Sequence, residues 1–502
     1  MNKSLKDILI SKKTNKNKQK QAKTSKNKLS INKKYSVKKK TELIDSFYSL
    51  DNTISTILIK YNDPDTKKLL RHRFNNFQLC KGFELDILNS YFSRINSAYV
   101  VKDNLLKSMG IDWAPMIVRN VFEDFTRGLA RFITSRYHKT LPTIKVSNAF
   151  MKMWEILSTF DLIPPLTHSQ HKKTPKSTTL STSTTTKPNT TSSTPSTPST
   201  PFRVFHICEA PGQMILATRY YAIRKCHYNM DNYDWRAQSL NPFDKVLQGE
   251  YGDAKIFGDD YGLIKNNPKR WIWGADNTGD ITRTENIKWY RNYNTRKWGQ
   301  PHIIIGDGGL KTDLDPLLLQ KLDLAQVIAV LACSGKGGVC VIKHFTPYIK
   351  RHKGTYEASG FFIGFLYLYY LAFESVSLFK PYSSNPDSGE FYVVGEGFRG
   401  IDERELDRLY EILDNFKLNS GIIKLEDIPE TFISQINQFL EKMSNLNTIA
   451  IEKQNMLLTC YKDDKNPKLQ KYLKCDTFMN PDNLQNIQVP RYNEWIRKYK
   501  FI

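Results

Sequence analysis

Four charged residues, far apart in the chain, stand where a lysine or carboxylate would meet a ligand rather than join the core. Lys152 lies in NAFMKMWEIL (Asn148 to Leu157), a helical pattern. Asp307 closes the apolar run in HIIIGDGG (His302 to Gly309) and precedes two glycines. Lys343 ends the buried-strand run of GVCVIKHF (Gly338 to Phe345). Glu390 opens a strand within VSLFKPYSSNPDSGEFYVV (Val376 to Val394). Lysines and carboxylates are the groups that carry protons and hold charge at a site. A free lysine near pKa 10.4 is protonated at neutrality, and burial or a neighbouring cation is what lowers it.

The elements that must bring these groups together centre on FRVFHICEAPGQMILAT, Phe202 to Thr218. Phe202 to Ile207 is an apolar run of strand length. Cys208 to Gln213 is a turn punctuated by Pro211 and Gly212, and a helix starts at Met214. Strand, tight glycine turn and helix open a doubly wound α/β domain, in which ligands sit beyond the carboxyl ends of the strands. Gly212 lacks a Cβ, so a ligand could approach its backbone closely. An ordinary β-to-α turn has the same form, and one glycine turn alone does not separate the two. Tyr233, Asp234 and Trp235 lie past the second strand position, where such domains often place a ribose-binding carboxylate or a stacking ring. Trp235 as plain core fits the same pattern.

HICEAPG, Leu240-Asn241-Pro242 after Trp235, GADNTGDI (Gly274 to Ile281), GDGG and the FKPYSSNPDSGEFYVV run occur in one order. The chain resembles the FtsJ-like ribose 2'-O-methyltransferases, and among them the mRNA cap enzymes of eukaryotes and large DNA viruses. The resemblance covers about Asn148 to Gly400. It implies a seven-stranded, mostly parallel methyltransferase sheet, S-adenosylmethionine as cofactor and a ribose 2'-hydroxyl of capped mRNA as methyl acceptor, at the first or second transcribed nucleotide. It also implies a catalytic tetrad of Lys152, Asp307, Lys343 and Glu390, with Lys343 as general base. Cofactor-binding positions carried over are Glu209, Pro211, Gly212, Asp307 by the methionine part, and Asp276 or Asp280 by the adenine. No metal is required. Gln213 stands where many relatives have a second glycine. An rRNA or tRNA 2'-O-methyltransferase and a catalytically silent RNA-binding subunit are the other readings. Capped mRNA is the expected partner, with other capping or transcription proteins beside it.

Composition agrees with a polyanionic partner. The 502 residues carry a formal charge of +24, are 40% hydrophobic and hold seven scattered cysteines. No C-x-x-C pair occurs, which suits reduced thiols inside a cell and no structural zinc. The expected location is the cytoplasm or nucleus of a host cell, or a virion if the source is viral. Residues 1–45 are a lysine-rich tail expected to be disordered. Residues 46–140 are expected to form a helical N-terminal region and 141–400 the methyltransferase domain. Within that domain the Ser/Thr/Pro tract 167–201 is a disordered insertion, and 401–502 is a helical C-terminal extension. GFFIGFLYLYYLAF (Gly360 to Phe373) is shorter than the ~20 residues of a membrane span and is expected to be a buried helix, so no membrane is a partner.

Overall fold

Short β-branched and aromatic runs supply a seven-stranded sheet, and long apolar helices cover it. The computed structural model describes residues 54–60, 72–83, 86–111, 126, 128–137, 146–166, 200–245, 247, 258–309, 316–347, 359–418, 420–464 and 481–501. The lysine-rich tail and residues 167–199 of the Ser/Thr/Pro tract lie outside these.

In chain order, β1 is Ile54–Lys60, β2 Cys80–Lys81, α1 Asp86–Ser108 and α2 Asn148–Phe160. The strand-turn-helix unit follows as β3 (Phe202–Ile207) and α3 (Gln213–Lys225), then β4 (Tyr233–Ala237), α4 (Leu263–Asn266) and α5 (Thr284–Tyr293). Next come β5 (Ile303–Gly306), α6 (Pro316–Cys333), β6 (Val339–Phe345), α7 (Ser359–Ala372), β7 (Phe373–Lys380) and β8 (Glu390–Phe398). The chain closes with α8 (Glu403–Asp414), β9 (Ser420–Gly421), α9 (Glu430–Asp464) and α10 (Pro481–Lys498).

The sheet order is β1-β7-β8-β6-β5-β3-β4, and β2 pairs with β9 apart from it. β4, β3, β5 and β6 pair in parallel. β8 runs antiparallel between β6 and β7, and β1 runs antiparallel to β7 at the edge. The carboxyl ends of β3 to β7 therefore share one edge of the sheet, and β8 starts from that edge at Glu390. This is the doubly wound, mostly parallel α/β fold expected from the sequence, with one difference in how the seven strands are made up. A strand beyond β4 is reduced to a single parallel bridge, Ala237 to Trp271. The seventh strand is β1, from the region expected to be helical, where the β-branched run ISTILIK favours an extended chain.

The core lies between sheet and helices. Val204, Phe205 and Ile207 of β3 and Val341 and Ile342 of β6 are fully buried. α7 is apolar all round, and Phe361, Phe362 and Ile363 are fully buried, as for an internal helix. Among the described residues no helix is long and apolar enough to cross a membrane.

Among the described residues, 97–111, 448–464 and 481–490 group as one compact unit and the others, with the whole sheet, as a second. Within the smaller unit, Lys102 Nζ donates to Gln454 Oε1 at 2.7 Å and Asn455 Nδ2 to the Ala98 carbonyl at 2.9 Å.

Candidate active site

The turn after β3 is built as much from β4 as from its own residues. Gly212 adopts φ +105°, a conformation that favours glycine, and its N–H donates to the Glu209 carbonyl at 2.6 Å. A Cβ on Gly212 would meet Leu263 Cδ1 of α4. The backbone angle thus favours glycine here, and Leu263 of α4 packs on the side where a Cβ would lie. Beyond the end of β4, Gln238 Oε1 accepts from the Cys208 N–H at 3.0 Å and Ser239 Oγ from the Ala210 N–H at 3.3 Å. Neither residue stood out in the sequence. Glu209 turns its carboxylate to the start of α3, where Oε1 accepts from the Met214 N–H at 2.7 Å. A carboxylate there complements the helix dipole, yet burial and the nearby Asp307 push the Glu209 pKa well above the usual carboxylate range.

The four charged residues meet at the carboxyl edge as two ion pairs. Lys343 Nζ lies 2.8 Å from Asp307 Oδ1, and Lys152 Nζ 2.6 Å from Glu390 Oε1. Register explains the meeting. Gly306 of β5 is level with Ile342 of β6, so Asp307 follows beside Lys343, and Phe345 of β6 is level with Glu390 of β8. Lys152 arrives on α2, which Ser147 caps by accepting from the Phe150 N–H at 3.2 Å. Burial pulls the Lys343 ammonium down, but Asp307 and Glu390 outweigh it and hold its pKa above the ordinary lysine value. Glu390 is moved the other way. Against the upward pull of burial, Lys152, Lys343 and Lys380 lower it to about 2. At the same edge burial, joined by Asp280, Asp307 and Glu209, raises the pKa of the half-buried Cys208 thiol, and Lys343 opposes the rise.

One turn beyond Lys152, Glu155 is fully buried. Its Oε1 accepts from the Ser383 N–H at 3.0 Å, on the segment leading to Glu390, and from Trp495 Nε1 at 2.5 Å. Burial raises its pKa to about 7, and these hydrogen bonds oppose the rise. The chain's last described residues close over the same helix. Trp154 Nε1 donates to the Tyr499 carbonyl at 2.9 Å, and Phe501 meets the Trp154 ring edge-on at 4.7 Å.

Other expected positions fall differently. Tyr233, Asp234 and Trp235 occupy the first half of β4, with Asp234 level with Arg203 near the start of β3. That is about 13 Å, four residues of strand, short of Gln238 at the carboxyl edge. Tyr233 and Trp235 are core. Asp234 is enclosed by Arg236 Nη1 at 2.9 Å, Trp298 Nε1 at 2.6 Å and Arg270. Against the pull of burial, these partners hold its carboxyl below the usual range. The structure thus does not bring these three to the glycine turn. Pro211 lies in the turn, after a cis peptide bond. Asp276 and Asp280 lie on the loop after Trp271, which Asn241 ties to the β4 side by its N–H to the Thr278 carbonyl (2.8 Å) and its Nδ2 to the Asn277 carbonyl (2.9 Å). Asp276 Oδ1 accepts from the Thr278 N–H and from Asn286 Nδ2, each at 2.9 Å, and Asp280 Oδ1 from the Thr282 N–H at 2.8 Å. Both carboxylates therefore shape the loop.

The turn suits the amino-acid part of S-adenosylmethionine. Glu209 Oε2, 3.8 Å from His206 Nδ1, and both polar atoms of the Gln213 side chain are buried there without a hydrogen-bond partner among the described residues. Buried donors and acceptors of that kind are costly unless something satisfies them. Among the described residues no group of His, Cys, Asp or Glu is arranged to hold a metal ion.

Residues 145–398 match the family model described as FtsJ-like methyltransferase. An uncharacterized protein of Acanthamoeba polyphaga mimivirus is 28% identical over 332 residues, 64% of this chain and 34% of that protein. Cap-specific mRNA (nucleoside-2'-O-)-methyltransferase 2 of Pongo abelii is 25% identical over 424 residues, 82% of this chain and 47% of that protein. Cap-specific mRNA (nucleoside-2'-O-)-methyltransferase 1 of Mus musculus is 38% identical over 154 residues, 29% of this chain and 17% of that protein. The chain therefore spans less than half the length of each of these relatives.

Proposed function

The chain belongs to the FtsJ-like methyltransferase family, and on that premise we propose that it methylates a ribose 2'-hydroxyl of capped mRNA, at the first or second transcribed nucleotide. The observation that carries this reading is the cluster of two lysine–carboxylate pairs, Lys343 with Asp307 and Lys152 with Glu390, at the ligand edge of the sheet. The names of the cap-specific relatives support the choice of substrate.

Bound S-adenosylmethionine supplies an electrophilic methyl group on a sulfonium. The chain's own residues do the rest. Lys343 Nζ takes the hydroxyl proton as the ribose oxygen gains the methyl, and Asp307 keeps Nζ in place. Lys152, fixed by Glu390, supplies a second positive charge that opposes protonation of Lys343. Glu209, Pro211 and Gln213 hold the amino-acid part of the cofactor at the turn, and Asp307 borders it. Asp276 and Asp280 shape the adenine side of the pocket. Holding both reactants in line supplies much of the acceleration.

The raised pKa of Lys343 has a visible consequence. A base works deprotonated, so kcat/KM, which reports the free enzyme, climbs with pH through the neutral and alkaline range. It shows no plateau below the ordinary lysine value of about 10.4. A pH–rate profile of cofactor-limited transfer checks this, and a plateau near pH 7 would assign the proton to another group.

The substrate is tested by comparing methyl transfer to capped RNA, the same RNA uncapped, ribosomal RNA and tRNA. Preference for the capped RNA supports the proposal. Preference for ribosomal RNA or tRNA would make the chain another kind of RNA 2'-O-methyltransferase, and transfer to none would leave an RNA-binding subunit. With capped mRNA as substrate, the place of action would be the cytoplasm or nucleus of a host cell, or a virion if the source is viral.

A further inference from the structure

Lysine is seldom fully buried without a partner. Lys380, the last residue of β7, is 0% exposed and is no member of the two ion pairs. Its Nζ donates to the Ser388 carbonyl at 2.8 Å, the Glu390 carbonyl at 2.9 Å and Ser384 Oγ at 3.2 Å. Three acceptors match the three hydrogens of an ammonium. Ser384 Oγ in turn donates to Glu390 Oε1 at 2.9 Å, the oxygen that Lys152 Nζ approaches at 2.6 Å. The bonds form one directed chain, from Lys380 through Ser384 to Glu390, which Lys152 meets from the other side. The connection between β7 and β8 is tightened further by its own turns, Ser384 N–H to the Pro381 carbonyl at 3.0 Å and Ser388 N–H to the Asn385 carbonyl at 3.1 Å.

We infer that Lys380 is a positioning residue: through Ser384 and the carbonyls of the β7–β8 connection it fixes the Glu390 carboxylate, and so the place of Lys152. The inference rests on the methyl-transfer reading of the cluster. An apolar side chain at 380 would leave the Ser388 and Glu390 carbonyls without this donor. It would also free the Ser384 hydroxyl to turn away from Glu390. The charged groups that act on Lys380 are Glu390 and Asp387, which favour its ammonium, and Lys152, which opposes it. Burial acts first and lowers its pKa to about 7. As a neutral amine it keeps two hydrogens for three acceptors, and its lone pair can draw the Ser384 hydroxyl off Glu390.

The test uses the full chain carrying Ser384→Ala, Lys380→Met, Glu390→Gln and each of the first two combined with the third. Single-turnover transfer to capped RNA, cofactor affinity by calorimetry and denaturant unfolding midpoints are measured on all. Ser384→Ala and Lys380→Met should each slow transfer by about 10- to 100-fold, the scale of a misplaced site group, with cofactor affinity unchanged. In the Glu390→Gln background neither should slow it further, because residues acting through one carboxylate are non-additive. If Lys380→Met does not fold, Ser384→Ala, which removes one hydroxyl, decides the matter. Losses that multiply with that of Glu390→Gln, or a Ser384→Ala protein at the wild-type rate, would overturn the inference. If the wild type methylates no RNA at all, it is the functional reading that fails. The brace is then judged on the unfolding midpoints, where non-additive shifts with Glu390→Gln support it and independent shifts overturn it.

Discussion

Lys343→Arg is expected to bind cofactor and capped RNA as the wild type does and to lose methyl transfer by a factor of about 10²–10⁴, the usual worth of general-base catalysis. Arginine keeps the charge and most of the length, so the pairing with Asp307, 2.8 Å from the lysine Nζ, can be retained. Guanidinium does not give up a proton at any working pH. Lys343→Ala should lose transfer as well, and raising the pH should not restore it. Single-turnover transfer of labelled methyl, beside binding titrations of both ligands, makes the distinction. An arginine variant at the wild-type rate would reduce Lys343 to a charge that positions the substrate.

Trp495→Ala should have the largest effect on stability, about 3–5 kcal/mol, as for other buried aromatic truncations. The ring is 2% exposed and packs 5.7 Å from Phe501. Its Nε1 also donates to Glu155 Oε1, which accepts from the Ser383 N–H as well. Without it Glu155 loses its indole donor in a fully buried place, on the helix that carries Lys152. Denaturant unfolding of the full chain measures the loss, and the variant should also be slower in transfer at temperatures where it remains folded. A change below about 1 kcal/mol, the size of an ordinary surface substitution or less, would show that residues 491–501 merely lie on α2.

The charged residues that meet at the sheet edge are legible where each sits beside strong punctuation: Asp307 before two glycines, Lys343 at the end of a buried strand, Glu390 after Pro and Gly. Strand register then did what the motifs implied, bringing Asp307 beside Lys343 and Phe345 beside Glu390. Asp234 shows where this way of reading stops. Its run reads as a strand, but the sequence does not say where that strand begins and ends, and Asp234 falls near its start rather than at its carboxyl end. Two of its partners, Arg270 and Trp298, are 36 and 64 residues away. Glu155 is harder still, since its indole donor is 340 positions along the chain. Lys380 lies within the FKPYSSNPDSGEFYVV run, yet nothing local marks a lysine as buried. The missing Cβ marks Gly212 in the sequence, but that Leu263, fifty-one positions on, packs on its Cβ side is visible only in the fold.

The most direct measurement is to let the full chain transfer labelled methyl from S-adenosylmethionine to capped RNA, digest the product with nucleases and identify the labelled nucleotide. The account predicts the label on the ribose 2'-oxygen of the first or second transcribed nucleotide, and no label with Lys343→Arg in the same assay. Label on a base or on the cap guanine, or 2'-O-methylation undiminished by that substitution, would contradict it.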